Sequence, residues 1–160
     1  MDYTASLRTF PLLAKLQDDD LKALSALLKV QRFPTGGNIV TEGEDGSEMF
    51  LLTEGSVDVI KTTVFGDTFV VATLEAGMHC VFGEMAMIDH DKRSSTVRAR
   101  TDCAVLSSDR KGFDRFCTDH PRGGVELLRL ISINLVRNIR KENENLKQVY
   151  QALIEEIEAG

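Results

Sequence analysis

The chain has 160 residues, 42% hydrophobic and 28% charged, with a net charge of -6. Length and composition are those of one globular domain able to bury a real core. The acidic balance argues against a general nucleic-acid or anionic-membrane binder, because counterion release needs clustered Lys and Arg. No run approaches the roughly 18 apolar residues of a membrane span, and "MDYTASLRTF" lacks the apolar core of a signal peptide. Cys80, Cys103 and Cys117 are odd in number and far apart. They fit a reducing compartment better than a disulfide framework, and a cytoplasmic location is expected.

In chain order, "LRTFPLLAKLQDDDLKALSALLKV" comes first, with Leu21, Leu24, Leu27 and Leu28 at helical spacing. Asp18, Asp19 and Asp20 precede them, where acidic side chains cap free N–H groups and suit the helix dipole. Two short helices broken near Gln17 are expected.

From about Gln31 to Ser108 glycines recur at 36, 37, 43, 46, 55, 66, 77 and 83. They separate β-rich runs such as "NIVT", "MFLLT", "SVDVI", "TFVVATL" and "AVLSS". Short, closely spaced strands with turn glycines predict an antiparallel barrel or sandwich. "VFGDTFVV" predicts a hairpin with Gly66-Asp67 at its tip.

The last region predicts one long helix from about Val125 to Ile157, with Pro121 able to start it and Gly123-Gly124 marking a joint. A helix of about 33 residues would be about 50 Å long, so a small domain covers only part of it. Leu135, Ile139, Glu142, Leu146, Val149 and Leu153 step by four and three, as a coiled-coil seam does, with Glu142 its polar position. The domain reading is therefore a body over residues 1–120 and a dimerising or lid helix over 121–160.

The chemistry concentrates in "FGEMAMIDHDKRSSTVRA", Phe82 to Ala99. Gly83 lets the backbone approach a ligand without a Cβ. Glu84 to Ile88 can form one helical turn, whose free N–H groups suit an anion. Arg93 adds a fork for two phosphate oxygens, and Ser94 and Ser95 add further donors. A carboxylate beside a phosphate is repelled unless it accepts from a sugar hydroxyl, so Glu84 suggests an attached ribose. On spacing alone Arg93 is equally a solvated arginine beside Asp91, and this reading ends at a phosphate–sugar pocket in a β-barrel.

The same segment resembles the phosphate-binding cassette of the cyclic nucleotide-binding domain family, found in protein kinase A regulatory subunits, cyclic-nucleotide-gated channels and the catabolite activator protein. "EGEDGSEMFLLTEGSVDVI" resembles that family's upstream glycine signature. The resemblance covers roughly residues 5 to 145. It implies a mainly β, α+β fold: an antiparallel jelly-roll-like β-barrel with N-terminal helices and a long C-terminal helix. The implied ligand is cAMP or cGMP, without a further cofactor or metal. The implied binding residues are Gly83, Glu84, Met85, Ala86, Arg93, Ser94 and Ser95. Gly83 and Ala86 would offer N–H groups to the cyclic phosphate, Glu84 would take the ribose 2′-hydroxyl, and Arg93 would pair with the exocyclic oxygens. Likeness to the catabolite activator's dimer helix adds Glu142 and Asn143 near the base. Lys92 replaces the family's usual proline, which is expected to loosen the loop and add charge near the phosphate.

Other motifs carry less. His79-Cys80 as a metal or haem pair is disfavoured, since neighbours on a strand point to opposite faces. The apolar residues of "EMAMI" are expected to pack in the barrel. No GxSxG, HExxH, Walker A or CxxC spacing is present, so no enzyme is expected. The long helix carries Arg129, Arg137, Arg140, Lys141 and Lys147 against Glu126, Glu142, Glu144, Glu155 and Glu156, which makes no DNA arm. The sequence therefore predicts a stand-alone sensor, dimeric through its last helix, that acts on a protein effector and on neither DNA nor membrane. The rival readings are an empty interaction module and a sensing piece of a larger transcription factor, channel or kinase.

Overall fold

The computed structural model describes residues 2–11 and 13–159. Helix α1 spans Thr4–Thr9 and α2 spans Asp18–Leu27. Pro11 ends α1, because a residue before proline is pushed into extended backbone, and Phe10 has ψ 119°. The three aspartates do fill the first turn of α2, but none of them caps it. Gln17 holds the N-cap position without a side-chain bond, and Asp20 instead accepts from His120 Nδ1 at 3.0 Å.

The strands are β1 (Lys29–Phe33), β2 (Asn38–Val40), β3 (Glu48–Glu54), β4 (Ser56–Thr62), β5 (Thr68–Glu75), β6 (Val81–Phe82), β7 (Thr96–Ala99) and β8 (Cys103–Asp109). They pair antiparallel into two four-stranded sheets, ordered β1-β8-β3-β6 and β2-β7-β4-β5. The architecture is jelly-roll-like as expected, but the barrel is not closed and each sheet keeps its own edges. The expected hairpin joins β4 to β5, with Gly66 at φ 92° in its turn.

Strand β3 feeds two cores. Met49 and Leu51 pack with the helices, while Phe50 and Leu52 pack between the sheets with Phe82, Val97 and Val105. Both faces being covered explains why "MFLL" is a continuous apolar run instead of an alternating one. Each such side chain contributes about 1.5–3 kcal/mol by leaving water. Phe50 and Phe82 stack at 5.3 Å, beneath the end of β6. His79 is not on a strand: it follows a short 3-10 turn, Ala76–Met78, at φ 50°, with its ring edge-on to Phe10 at 5.5 Å.

Helix α3 (Arg110–Asp119) is capped by Asp109, whose carboxylate accepts the Gly112 N–H at 2.7 Å. Helix α4 runs unbroken over Pro121–Ala159, 39 residues and about 58 Å at 1.5 Å per residue. Gly123-Gly124 is therefore not a joint. A Cβ on Gly123 would stand 2.6 Å from Asp20 Cγ, and one on Gly124 2.8 Å from Cys117 Cα. The two glycines bring α4 close to α2 and α3, which outweighs their cost inside a helix. Leu127, Leu130 and Ile131 are buried and Leu135 is half-buried. Every described residue from Val136 onward is exposed, as the length of the helix requires.

Candidate functional site

Strand β6 delivers the chain to Gly83, which sits in the left-handed region at φ 73°. A Cβ there would meet Arg93 Nη1 and the Glu48 carbonyl, each at 3.0 Å. Glu84–Met87 follows as one 3-10 turn, close to the predicted helical turn. Ala86 and Met87 are buried, but Met85 is 44% and Ile88 51% exposed, so the expectation that all of "EMAMI" packs inside is corrected. So short a turn has one side against the core and the other toward solvent, and Met85 and Ile88, three residues apart, share the outer side. The Ala86 N–H donates to the Gly83 carbonyl at 3.2 Å, closing the turn.

Residue 93 is pinned from its backbone outward. Its N–H donates to the Glu44 carbonyl at 2.9 Å, and its own carbonyl accepts from Gly43 N–H at 2.9 Å. The side chain then passes over Gly46, where a Cβ would lie 1.9 Å from Nε. Its Nη2 donates to the Glu48 carbonyl at 2.8 Å and Nη1 to the Gly83 carbonyl at 3.3 Å. The guanidinium carbon lies 5.9 Å from the centre of the Phe50 ring. Burial lowers its pKa, yet an arginine stays charged. Two of its five N–H groups are bonded, which leaves donors for an anion.

Glu84 is 5% exposed and is the only buried acidic residue among the described residues. Desolvation raises its pKa, opposed by its own backbone N–H and by Asn134. Asn134 of α4 donates Nδ2–H to Glu84 Oε1 at 2.9 Å. Ser94 is exposed, with Oγ 3.9 Å from Met85 Sδ, and Ser95 is half-buried. Lys92, where the family's proline would stand, takes up contacts with the facing loop. Its Nζ donates to the Gly43 carbonyl at 3.1 Å and lies 3.5 Å from Asp45 Oδ1, tying the two loops together.

Gly83, Glu84, Met85, Ala86, Arg93, Ser94 and Ser95 thus lie on one loop, with Arg93 and Glu84 flanking Gly83. Glu142 and Asn143 are not part of that cluster within one protomer. They are exposed on α4, Glu142 about 12 Å further along its axis than Asn134. A cleft of about 830 Å³ lies on the other side of Arg93, against Asp45, Glu48, Arg110 and Lys111, and does not reach Glu84.

Two residues that hold this segment in place carry no signal strong enough to single them out in the sequence. One is Asn134. The other is Arg110, whose N–H donates to the Ser47 carbonyl at 2.8 Å and whose Nε donates to the Ala86 carbonyl at 2.8 Å. Its terminal nitrogens reach the Asp89 carbonyl and His90, so Arg110 straps the loop to α3. Its place in "SSDRKGF", beside the cap Asp109, was the available signal. Among the described residues no three His, Cys, Asp or Glu gather as a metal would require, and no helix is long and apolar enough to cross a membrane.

The site is thus a jelly-roll-like pair of sheets carrying a glycine-led turn, a half-buried arginine and a buried carboxylate. The family model for the cyclic nucleotide-binding domain matches residues 30–120. The chain belongs to that family. It is 33% identical over 113 residues to the cAMP-dependent protein kinase regulatory subunit of Aspergillus niger, covering 71% of this chain and 26% of that one. It is also 33% identical over 144 residues to human cGMP-dependent protein kinase 2, covering 89% and 18%. The chain thus spans about a quarter or less of the length of these relatives. A cyclic nucleotide-binding domain from Methylobacillus flagellatus superposes with a TM-score of 0.78 at 22% identity, covering 90% of this chain and 80% of that one, a likeness of fold.

Proposed function

We propose that this domain is a receptor for cAMP or cGMP that senses the nucleotide and catalyses no reaction. The observation that carries the reading is the Gly83 turn, with Arg93 Nη1 3.3 Å from its carbonyl and the buried Glu84 next in sequence. In that reading the cyclic phosphate meets the Gly83–Ala86 turn and the free N–H groups of Arg93, and Ser94 and Ser95 lie beside it. The ribose 2′-hydroxyl donates to Glu84. Met85, exposed on the same turn, adds apolar contact.

Output passes to a protein effector through α4, which also joins two copies. The uncovered seam of Ile139, Leu146, Val149 and Leu153 supports this, since a solvated helix gains nothing from an apolar stripe. In that reading Glu142 and Asn143 meet the base across the dimer. The even balance of charge on α4 supports a protein partner over DNA. That the domain makes up only part of each kinase relative favours a second reading, in which it reports to an appended domain.

Equilibrium dialysis against labelled cAMP and cGMP tests the proposal. Saturable binding of at least one, competed by the unlabelled cyclic nucleotide and not by inorganic phosphate, supports it. Binding of neither refutes it.

A further inference from the structure

Glu84 is incompletely used. It is the single buried acid among the described residues, where acids are seldom found unless paired. Among the described residues no cation pairs with it, and its one side-chain partner is the neutral amide of Asn134, on Oε1. An ionised carboxylate has about four acceptor sites, and no described side chain occupies Oε2.

Asn134 is also singular by position. It is half-buried, next to the half-buried Leu135, in the last turn of α4 that touches the body, and every described residue from Val136 onward is exposed. Its bond to Glu84 joins residues 50 apart in sequence. It therefore ties the helix to the turn at the point where the helix leaves the domain.

We infer that Asn134 is a positioning residue for sugar recognition: by holding Glu84 Oε1 it aims Oε2 at the ligand's 2′-hydroxyl and links that hydroxyl to the docking of α4. The inference rests on the cyclic nucleotide reading of this site. The two bonds share one carboxylate, so the Asn134 contact on Oε1 fixes where Oε2 stands for the hydroxyl, and the coupling is reciprocal. A ligand lacking the 2′-hydroxyl still binds through its phosphate but does not tighten the Asn134 bond. Occupancy and helix docking are then separable, with the sugar hydroxyl as the part that α4 reads.

The test is a ligand-by-variant cycle. Wild type, Asn134→Leu and Asn134→Ser are titrated with the better-bound cyclic nucleotide and its 2′-deoxy analogue. Wild type prefers the ribose form by about ten-fold or more, as expected for a hydrogen bond to a charged group. Asn134→Leu removes most of that preference by weakening the ribose ligand alone, while Asn134→Ser, which keeps a donor, retains part of it. Burial, its own N–H and Asn134 are what set the Glu84 carboxyl. Loss of discrimination on acidification therefore begins at higher pH in Asn134→Leu than in wild type. Equal weakening of both ligands, or an unchanged preference and pH profile, overturns the role of Asn134. A wild type that binds both ligands equally overturns the ribose assignment of Glu84 itself.

Discussion

Arg93 Nη2 donates to the backbone carbonyl of Glu48 at 2.8 Å, and among the described residues no carboxylate stands within ion-pair distance of this half-buried guanidinium, the Glu48 charge acting on it only from further off. A backbone carbonyl orients the fork without neutralising it, so its full charge remains for an anion. Gly46 makes this possible, since a Cβ there would lie 1.9 Å from Arg93 Nε. Gly46→Ala is predicted to push the guanidinium aside and weaken cyclic nucleotide binding by about ten-fold or more, with the thermal midpoint little changed because residue 46 lies in a surface loop. Calorimetric titration beside a melting curve checks both halves.

Glu84 gives a pH dependence with a definite sign. Burial raises its pKa, so the folded chain holds that proton more tightly than the unfolded chain. Its contribution to stability is present below the ordinary glutamate value and is lost as pH rises through the raised one. Glu84→Gln, which can still accept from Asn134, should be more stable than wild type at neutral pH and should lose this part of the dependence. It should also lose about 1.5–3 kcal/mol of ribose nucleotide binding, the usual worth of a hydrogen bond to a charged group. Denaturant unfolding across pH and a binding titration check the two effects, which have opposite signs.

Arg110 straps the loop through the carbonyls of Ala86 and Asp89. Arg110→Ala leaves these acceptors without their partner, a loss of about 1–3 kcal/mol. Amide exchange over residues 86–90 should accelerate and binding should weaken. Arg110→Lys should recover little, because a single ammonium cannot span both carbonyls as a planar fork does. Hydrogen-exchange mass spectrometry reads the local effect directly.

The outer half of α4 predicts self-association. Leu135→Asp combined with Leu146→Asp should give a monomer. Glu142→Leu, which fills the polar gap in the seam, should give a dimer whose formation no longer depends on nucleotide. Sedimentation with and without ligand decides it, and a wild type that stays monomeric in both states contradicts the seam.

The strands, the hairpin and the Gly83–Arg93 segment were legible because their signals are local: alternation, turn glycines, and a motif contiguous in sequence. Residues that act across the chain were not. Arg110 meets Ala86 across 24 residues and Asn134 meets Glu84 across 50. Asn134 has no neighbour in sequence that announces its partner, and the cap Asp109 beside Arg110 marks a helix start without showing which carbonyls Arg110 reaches. Gly123-Gly124 was read as a joint because local propensity is all that sequence displays, and close packing on Asp20 and Cys117 overrides it. The aspartates fill the first turn of α2 and suit its dipole as expected, but the capping reading fails, and the bond that Asp20 accepts from His120 spans 100 residues.

The central claim is that the cyclic phosphate binds on Arg93, and calorimetric titration of wild type, Arg93→Ala and Arg93→Lys with cAMP and cGMP tests it most directly. Removing one partner of a buried charge pair costs about 2–5 kcal/mol. Arg93→Ala should therefore bind roughly thirty-fold more weakly or worse, and Arg93→Lys should recover little, because a point charge does not hold two oxygens as a fork does. Arg93→Ala binding either nucleotide as tightly as wild type would contradict the account.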